Sequence, residues 1–216
     1  MRGRVSAGRV PVAVLVSGRG SNLQALLDAA ADPAYPAALV KVVSNVPGAL
    51  ALERAAAAGV PTAVVPSRGR PREDFERDLL EAVGPVAWVC LAGFMRVLTP
   101  TFLGAFPNRV LNVHPALLPA FPGTHGPAQA LAYGAAVAGA TVHLVDAGVD
   151  TGPILAQGVV PVLDDDTDDA LAARILGVEH RLYPMVLRWA VEGRVTVEGR
   201  RARVALPAGD ARWIIG

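Results

Sequence analysis

Residues 112–125, NVHPALLPAFPGTH, bring together an Asn, two of the four histidines and three prolines. Turn formation does not require histidine, so the stretch reads as a chemical centre. Asn112 and His114 stand two apart after the apolar Val110 and Leu111. If the strand continues through them, both side chains point to the same side. An amide can donate a hydrogen bond to a developing oxyanion. A histidine can carry protons near neutral pH, or donate as imidazolium. Pro115, Pro119 and Pro122 stiffen the chain behind them.

The acid that such a pair needs is sought in HLVDAGVDTGPILAQ, residues 143–157. Asp146 and Asp150 bracket Ala-Gly-Val between two apolar runs. A carboxylate beside His114 could hold the ring and stabilise its charged form. The plainer alternative for either Asp is an Asx-turn. His125 and His143 are possible neighbours of this site. No group of residues has convincing metal-ligand spacing, so no metal is expected.

A second feature is VLVSGRGSNLQAL, residues 14–26, which places a Gly-rich loop between a strand and a helix. In an open α/β sheet, ligands sit beyond the carboxyl ends of the strands. Helix-start N–H groups bind anions, and phosphate is the natural guest. The loop is not a P-loop. It also lacks the third glycine of the dinucleotide fingerprint, because position 23 is Leu. Ser44 and Asn45 stand where that fingerprint wants an acid. A dinucleotide is disfavoured, and a plain tight turn with a Ser or Asn N-cap is the alternative.

The surrounding pattern supplies the elements that must position these groups. Strands are expected at 11–16, 38–44, 62–65, 85–93 and 109–113, with helices at 21–31, 48–59 and 71–83. This alternation predicts a mostly parallel sheet flanked by helices. Two further strands, 139–146 and 153–162, are expected to pair antiparallel. A long helix over 167–191 carries Leu171, Ile175, Val178, Leu182, Met185 and Trp189 at helical spacing. RVTVEGRRARVAL reads as a terminal hairpin. The expected organisation is a single domain over 1–216. Residues 1–9 are read as disordered, 11–113 as the phosphate-binding half, 114–191 as the catalytic half, and 192–216 as a small terminal hairpin and tail.

Composition narrows the class. The chain is 52% hydrophobic, but no apolar run reaches the roughly 18 residues of a membrane span. No signal-peptide pattern follows the basic N-terminus. A cytoplasmic protein is expected, with no membrane partner. The net charge of +1 argues against a nucleic-acid surface. A single cysteine, Cys90, excludes an intramolecular disulfide and reads as a small buried hydrophobe.

Four blocks, SGRGSNLQAL, LAGFMRVL, LNVHPALLPAFPGTHG and GVDTGPILAQ, resemble the phosphoribosylglycinamide formyltransferases of purine biosynthesis. Order and spacing match over roughly residues 11–191. The resemblance implies an α/β, Rossmann-like formyltransferase fold and 10-formyltetrahydrofolate as formyl-donor cosubstrate, with 114–191 as the folate-binding and catalytic half. It implies that Gly20, Ser21 and Asn22 hold the phosphate of the amine substrate. Asn112, His114 and Asp150 would be catalytic. The pterin would lie by Phe94, Met95, Arg96, Val97 and Leu98, and by Asp146 and Val149 of the 146–150 loop. Glu179 would contact the glycinamide. Leu176 replaces a polar phosphate contact frequent in the family, for which Arg68 or Arg70 could compensate. Gly126 replaces a common Thr. A monomer or homodimer is expected.

Four other activities compete with this reading. A formyl-folate hydrolase tends to carry a second His where Pro115 stands, and an N-terminal regulatory domain. Methionyl-tRNA formyltransferase needs an RNA-binding domain and more basic charge. A non-catalytic folate- or nucleotide-binding module would not need the trio. A nicotinamide dehydrogenase would need the missing acid.

Overall fold

A computed structural model describes residues 8–216. The segment expected to be disordered, 1–9, lies largely outside the described residues. Within it, Arg9 is tied down, donating from its guanidinium to the carbonyls of Ala30 and Ala37. The chain forms two compact units, the first ending at Leu111 and the second running from Asn112 to Gly216.

The first unit alternates strand and helix. β1 (Val10–Val16), α1 (Ser21–Ala31), β2 (Ala37–Ser44) and α2 (Leu50–Ala57) come first, followed by β3 (Thr62–Val64), α3 (Arg72–Val83) and β4 (Trp88–Leu91). α4 (Pro100–Leu103) is a single turn beyond β4. The strands lie in the order β4-β1-β2-β3. β1 pairs parallel with both β2 and β4, and β2 pairs parallel with β3. Buried parallel strands are near-continuously apolar. VAVLV in β1 follows that rule, with Val12 through Val16 fully buried. Leu23, Leu26 and Leu27 form the buried stripe of α1.

β5 (Val110–His114) carries the unit boundary within it. The second unit continues with α5 (Gly126–Tyr133), β6 (Val137–Leu144), β7 (Ile154–Pro161) and α6 (Asp168–Val191). β8 (Val195–Glu198), β9 (Arg201–Val204) and β10 (Trp213–Ile215) complete it. β6 and β7 are antiparallel, as the sequence predicts. β8 and β9 form the terminal hairpin. β10, absent from the sequence reading, adds a parallel edge to β7. Asp210 anchors this tail by accepting from Trp189 Nε1 at 2.7 Å and Arg188 at 2.5 Å.

α6 starts at Thr167, whose hydroxyl accepts from Ala170 N–H as an N-cap. Asp168 and Asp169 suit the positive end of the helix dipole. Its apolar stripe packs on β6 and β7, with Leu171, Ile175 and Val178 meeting Ala138, Ala140 and Val160. Met185, expected on this stripe, is only half-buried; Tyr183, Val186 and Leu187 join it instead. The sequence reading also missed α4 and α5.

Candidate active site

Asn112 and His114 sit on β5, and His143 lies near the end of β6. Asp150 stands in the loop between β6 and β7 with φ 54°, a left-handed conformation unusual for a residue with a side chain. Phe121 (φ 53°) and His125 (φ 63°) share that conformation in the stretch after β5. Strained backbone of this kind clusters where a site must aim particular groups.

The carbonyl of Phe121 faces His114 Nε2 at 2.9 Å. A carbonyl only accepts, so Nε2 carries hydrogen. Nδ1 is the ring nitrogen that remains, and it faces Asp150 Oδ2 at 3.4 Å. That oxygen also accepts from Gly123 N–H at 2.8 Å.

His143 is fixed in the same way. Its Nδ1 donates to the Leu144 carbonyl at 2.8 Å. Its Nε2 lies 3.2 Å from Asn112 Nδ2 and 3.5 Å from Asp150 Oδ1. The uncharged ring accepts from the amide, and the imidazolium would donate toward Asp150. The shorter contact favours the first arrangement. It turns the NH2 of Asn112 toward His143, and leaves the second amide hydrogen able to donate to another acceptor.

Burial pushes the Asp150 carboxyl group up. His143 when its ring is charged, the Gly123 N–H and the charge of His114 outweigh that effect and hold it below its ordinary value of 3.8. The loop that carries it is organised by Asp146. Asp146 Oδ1 accepts from the Thr151 hydroxyl at 2.6 Å and Gly148 N–H at 3.1 Å. This is the Asx-turn alternative of the sequence reading, realised at Asp146.

The chain belongs to the formyl transferase family. The sequence profile of that family matches residues 10–187. A phosphoribosylglycinamide formyltransferase of Mycobacterium tuberculosis (strain ATCC 25618 / H37Rv) is 51% identical over 192 residues, covering 88% of each chain. The crystal structure of glycinamide ribonucleotide transformylase 1 from Symbiobacterium toebii superimposes with a TM-score of 0.88 at 48% identity. It covers 92% of this chain and 95% of its own. The trifunctional purine biosynthetic protein adenosine-3 of Drosophila melanogaster is 46% identical over 198 residues. There, the present chain spans only 15% of the relative's length.

In this formyl transferase the Gly-rich loop lies in the first unit. Gly20 is the N-cap of α1, with φ 75°, in place of the Ser or Asn cap weighed from sequence. A side chain at position 20 would meet Ala51 Cβ at 2.6 Å, so glycine is required by both conformation and space. No side chain caps α1 and no acid stands in its first turn. The N–H groups at Ser21 and Asn22 begin a helix whose dipole favours an anion. Arg54 closes the loop from α2, donating to the Arg19 carbonyl at 2.9 Å.

The remaining sequence candidates divide. Met95, Val97 and Val149 are exposed, whereas Phe94 and Leu98 are buried in the core. Arg96 stacks over Phe75, 5.7 Å from the ring centre. Glu179 is buried on α6. Arg68 is exposed, but Arg70 is committed to Asp78 at 2.7 Å. His125 is exposed at the N-cap of α5. Gly126, the departure from the common Thr, lies where a Cβ would come within 2.6 Å of the Pro115 carbonyl. The Phe121 carbonyl was missed from sequence, because a main-chain group leaves no residue-type signal. Among the described residues, no group of three or more His, Cys, Asp or Glu is placed to hold a metal ion, and no helix is long and apolar enough to cross a membrane.

Proposed function

We propose that this formyl transferase moves the formyl group of 10-formyltetrahydrofolate to the primary amine of 5'-phosphoribosylglycinamide. The products are the N-formyl amide and tetrahydrofolate, in purine biosynthesis in the cytoplasm. The observation that carries the reading is the arrangement of Asn112, His114, His143 and Asp150, found in a member of this family.

The amine attacks the formyl carbon, and the carbonyl oxygen takes up negative charge. The Asn112 hydrogen that does not face His143 donates to that oxygen. His114 Nδ1–H, as imidazolium, is the second donor, since Nε2 is occupied by the Phe121 carbonyl. At 3.4 Å, Asp150 stands farther away than the roughly 2.7–2.9 Å of a tight charge-assisted bond. The proton on Nδ1 is thus shared between carboxylate and substrate rather than locked to the carboxylate. Asp150 stabilises the charged ring and relays the attacking amine's proton, through water, to folate N10, from which tetrahydrofolate leaves. Gly20, Ser21 and Asn22 hold the ribose 5-phosphate, and Glu179 meets the glycinamide. Met95, Arg96, Val97 and Val149 contact the pterin; Phe94 and Leu98 support them from the core.

The test is product identity. Incubation with formyl-folate and phosphoribosylglycinamide should give the N-formylated amide by mass spectrometry. Formate with unmodified amine would assign a hydrolase instead.

A further inference from the structure

The turn at residues 94–98 is held at both ends by polar groups that the proposed chemistry does not use. At its start, Met95 N–H donates to Ser17 Oγ at 2.8 Å, and Ser17 donates to Asn45 Oδ1 at 2.5 Å. At its end stands Glu76 of α3, which is fully buried. Its carboxyl group accepts from Thr99 N–H at 2.7 Å, the Thr99 hydroxyl at 2.5 Å and Phe102 N–H at 3.2 Å.

Burying a carboxyl group is costly unless its oxygens are hydrogen-bonded. These three partners of Glu76 lie just beyond the turn. Its neighbour Phe75 lies beneath Arg96 of the same turn. α3 therefore grips the turn at Arg96 and just after Leu98. Between the anchors, Phe94 and Leu98 point into the core. Met95 and Val97 are held outward, 71% and 44% exposed. Two apolar side chains fixed in water on a pinned backbone suit a flat, partly apolar ligand, because the ordering cost is met before binding.

We infer that Glu76 is a positioning residue for the formyl-folate. It touches no substrate. By fixing Thr99 it sets the conformation in which Met95 and Val97 meet the pterin. The inference rests on the proposed contact between this turn and folate.

Glu76→Gln keeps the size but turns an NH2 group against the donors of Thr99 and Phe102. The KM for 10-formyltetrahydrofolate should rise about tenfold, while the KM for phosphoribosylglycinamide stays within about twofold and kcat within about threefold. Thr99→Val removes only the hydroxyl donor and should give the same split, smaller. It keeps the test alive if Glu76→Gln does not fold. The double variant Met95→Ala/Val97→Ala probes the turn itself. A raised folate KM there, with none in Glu76→Gln or Thr99→Val, would overturn the positioning role and leave the folate contact standing. No change in any of the three would overturn both. A lower kcat with both KM values unchanged in the Glu76 and Thr99 variants would mean a merely structural role, and would also overturn the inference.

Discussion

His114 is held by the Phe121 carbonyl, which faces its Nε2 at 2.9 Å and leaves Nδ1 facing Asp150 at 3.4 Å. In the proposed transfer, the acid and the substrate therefore meet the same ring nitrogen. In the serine-protease arrangement they occupy opposite ones. Nitrogen-15 NMR of His114 should show a hydrogen on Nε2 throughout the neutral range. A ring with Nε2 bare and only Nδ1 protonated would contradict this geometry.

If one proton serves His114 and Asp150 together, as proposed, the two should fail together. His114→Ala and Asp150→Asn should each reduce the single-turnover rate by at least roughly a hundredfold. The double variant should be little worse than the poorer single one. Multiplying effects in the double variant would show that they act independently.

Asn112 is aimed by His143, whose tautomer is set by the Leu144 carbonyl. Asn112→Ala removes the oxyanion donor and should slow the chemical step by roughly 10²–10³. His143→Ala leaves the donor but unfixes it, and should cost roughly tenfold, about one hydrogen bond. Rapid-quench rates check the ranking. An effect of His143→Ala equal to that of Asn112→Ala would give His143 a direct role.

Asp150 ties pH to stability. Its carboxyl group is held below 3.8, so the folded state favours the ionised form more than the unfolded chain does. That stabilisation is fully present above the unfolded value and is lost as pH falls through the lower folded value. The stability difference between the parent and Asp150→Asn should shift against the parent as pH falls from about 5 to below about 4. Urea titrations at a series of pH values measure it. A difference unchanged down to pH 3 would remove this linkage.

Gly20 is required by φ 75° and by the approach of Ala51. Gly20→Ala should destabilise the fold by about 1–3 kcal/mol. It should also raise the KM for the phosphate-bearing amine while leaving that for formyl-folate near its parent value. Thermal melts and steady-state kinetics read the two effects. Equal shifts in both KM values would place the phosphate elsewhere.

Long periodic segments were legible in the sequence because burial there decides everything. α1 spans the expected 21–31, and β6 and β7 pair as the two apolar runs predict. The misses are short or depend on main-chain groups. α4 has four residues and is fixed by Glu76 from α3, a partner 23 residues before Thr99. β10 has three residues with Trp213 and Ile215 exposed, so alternation had little to report. At the site, residue types pointed to Asn112, His114 and Asp150. They did not show that Phe94 and Leu98 face inward or that Arg70 is committed to Asp78. Those facts depend on the path of the backbone, which a single sequence does not carry.

The most direct test of the proposed transfer is loss of 10-formyltetrahydrofolate, followed by absorbance with and without phosphoribosylglycinamide. Formyl transfer to this acceptor predicts consumption that depends on the amine and stops when the amine is exhausted. Consumption at the same rate without amine would contradict it in favour of hydrolysis, and no consumption under either condition would contradict formyl transfer to this acceptor.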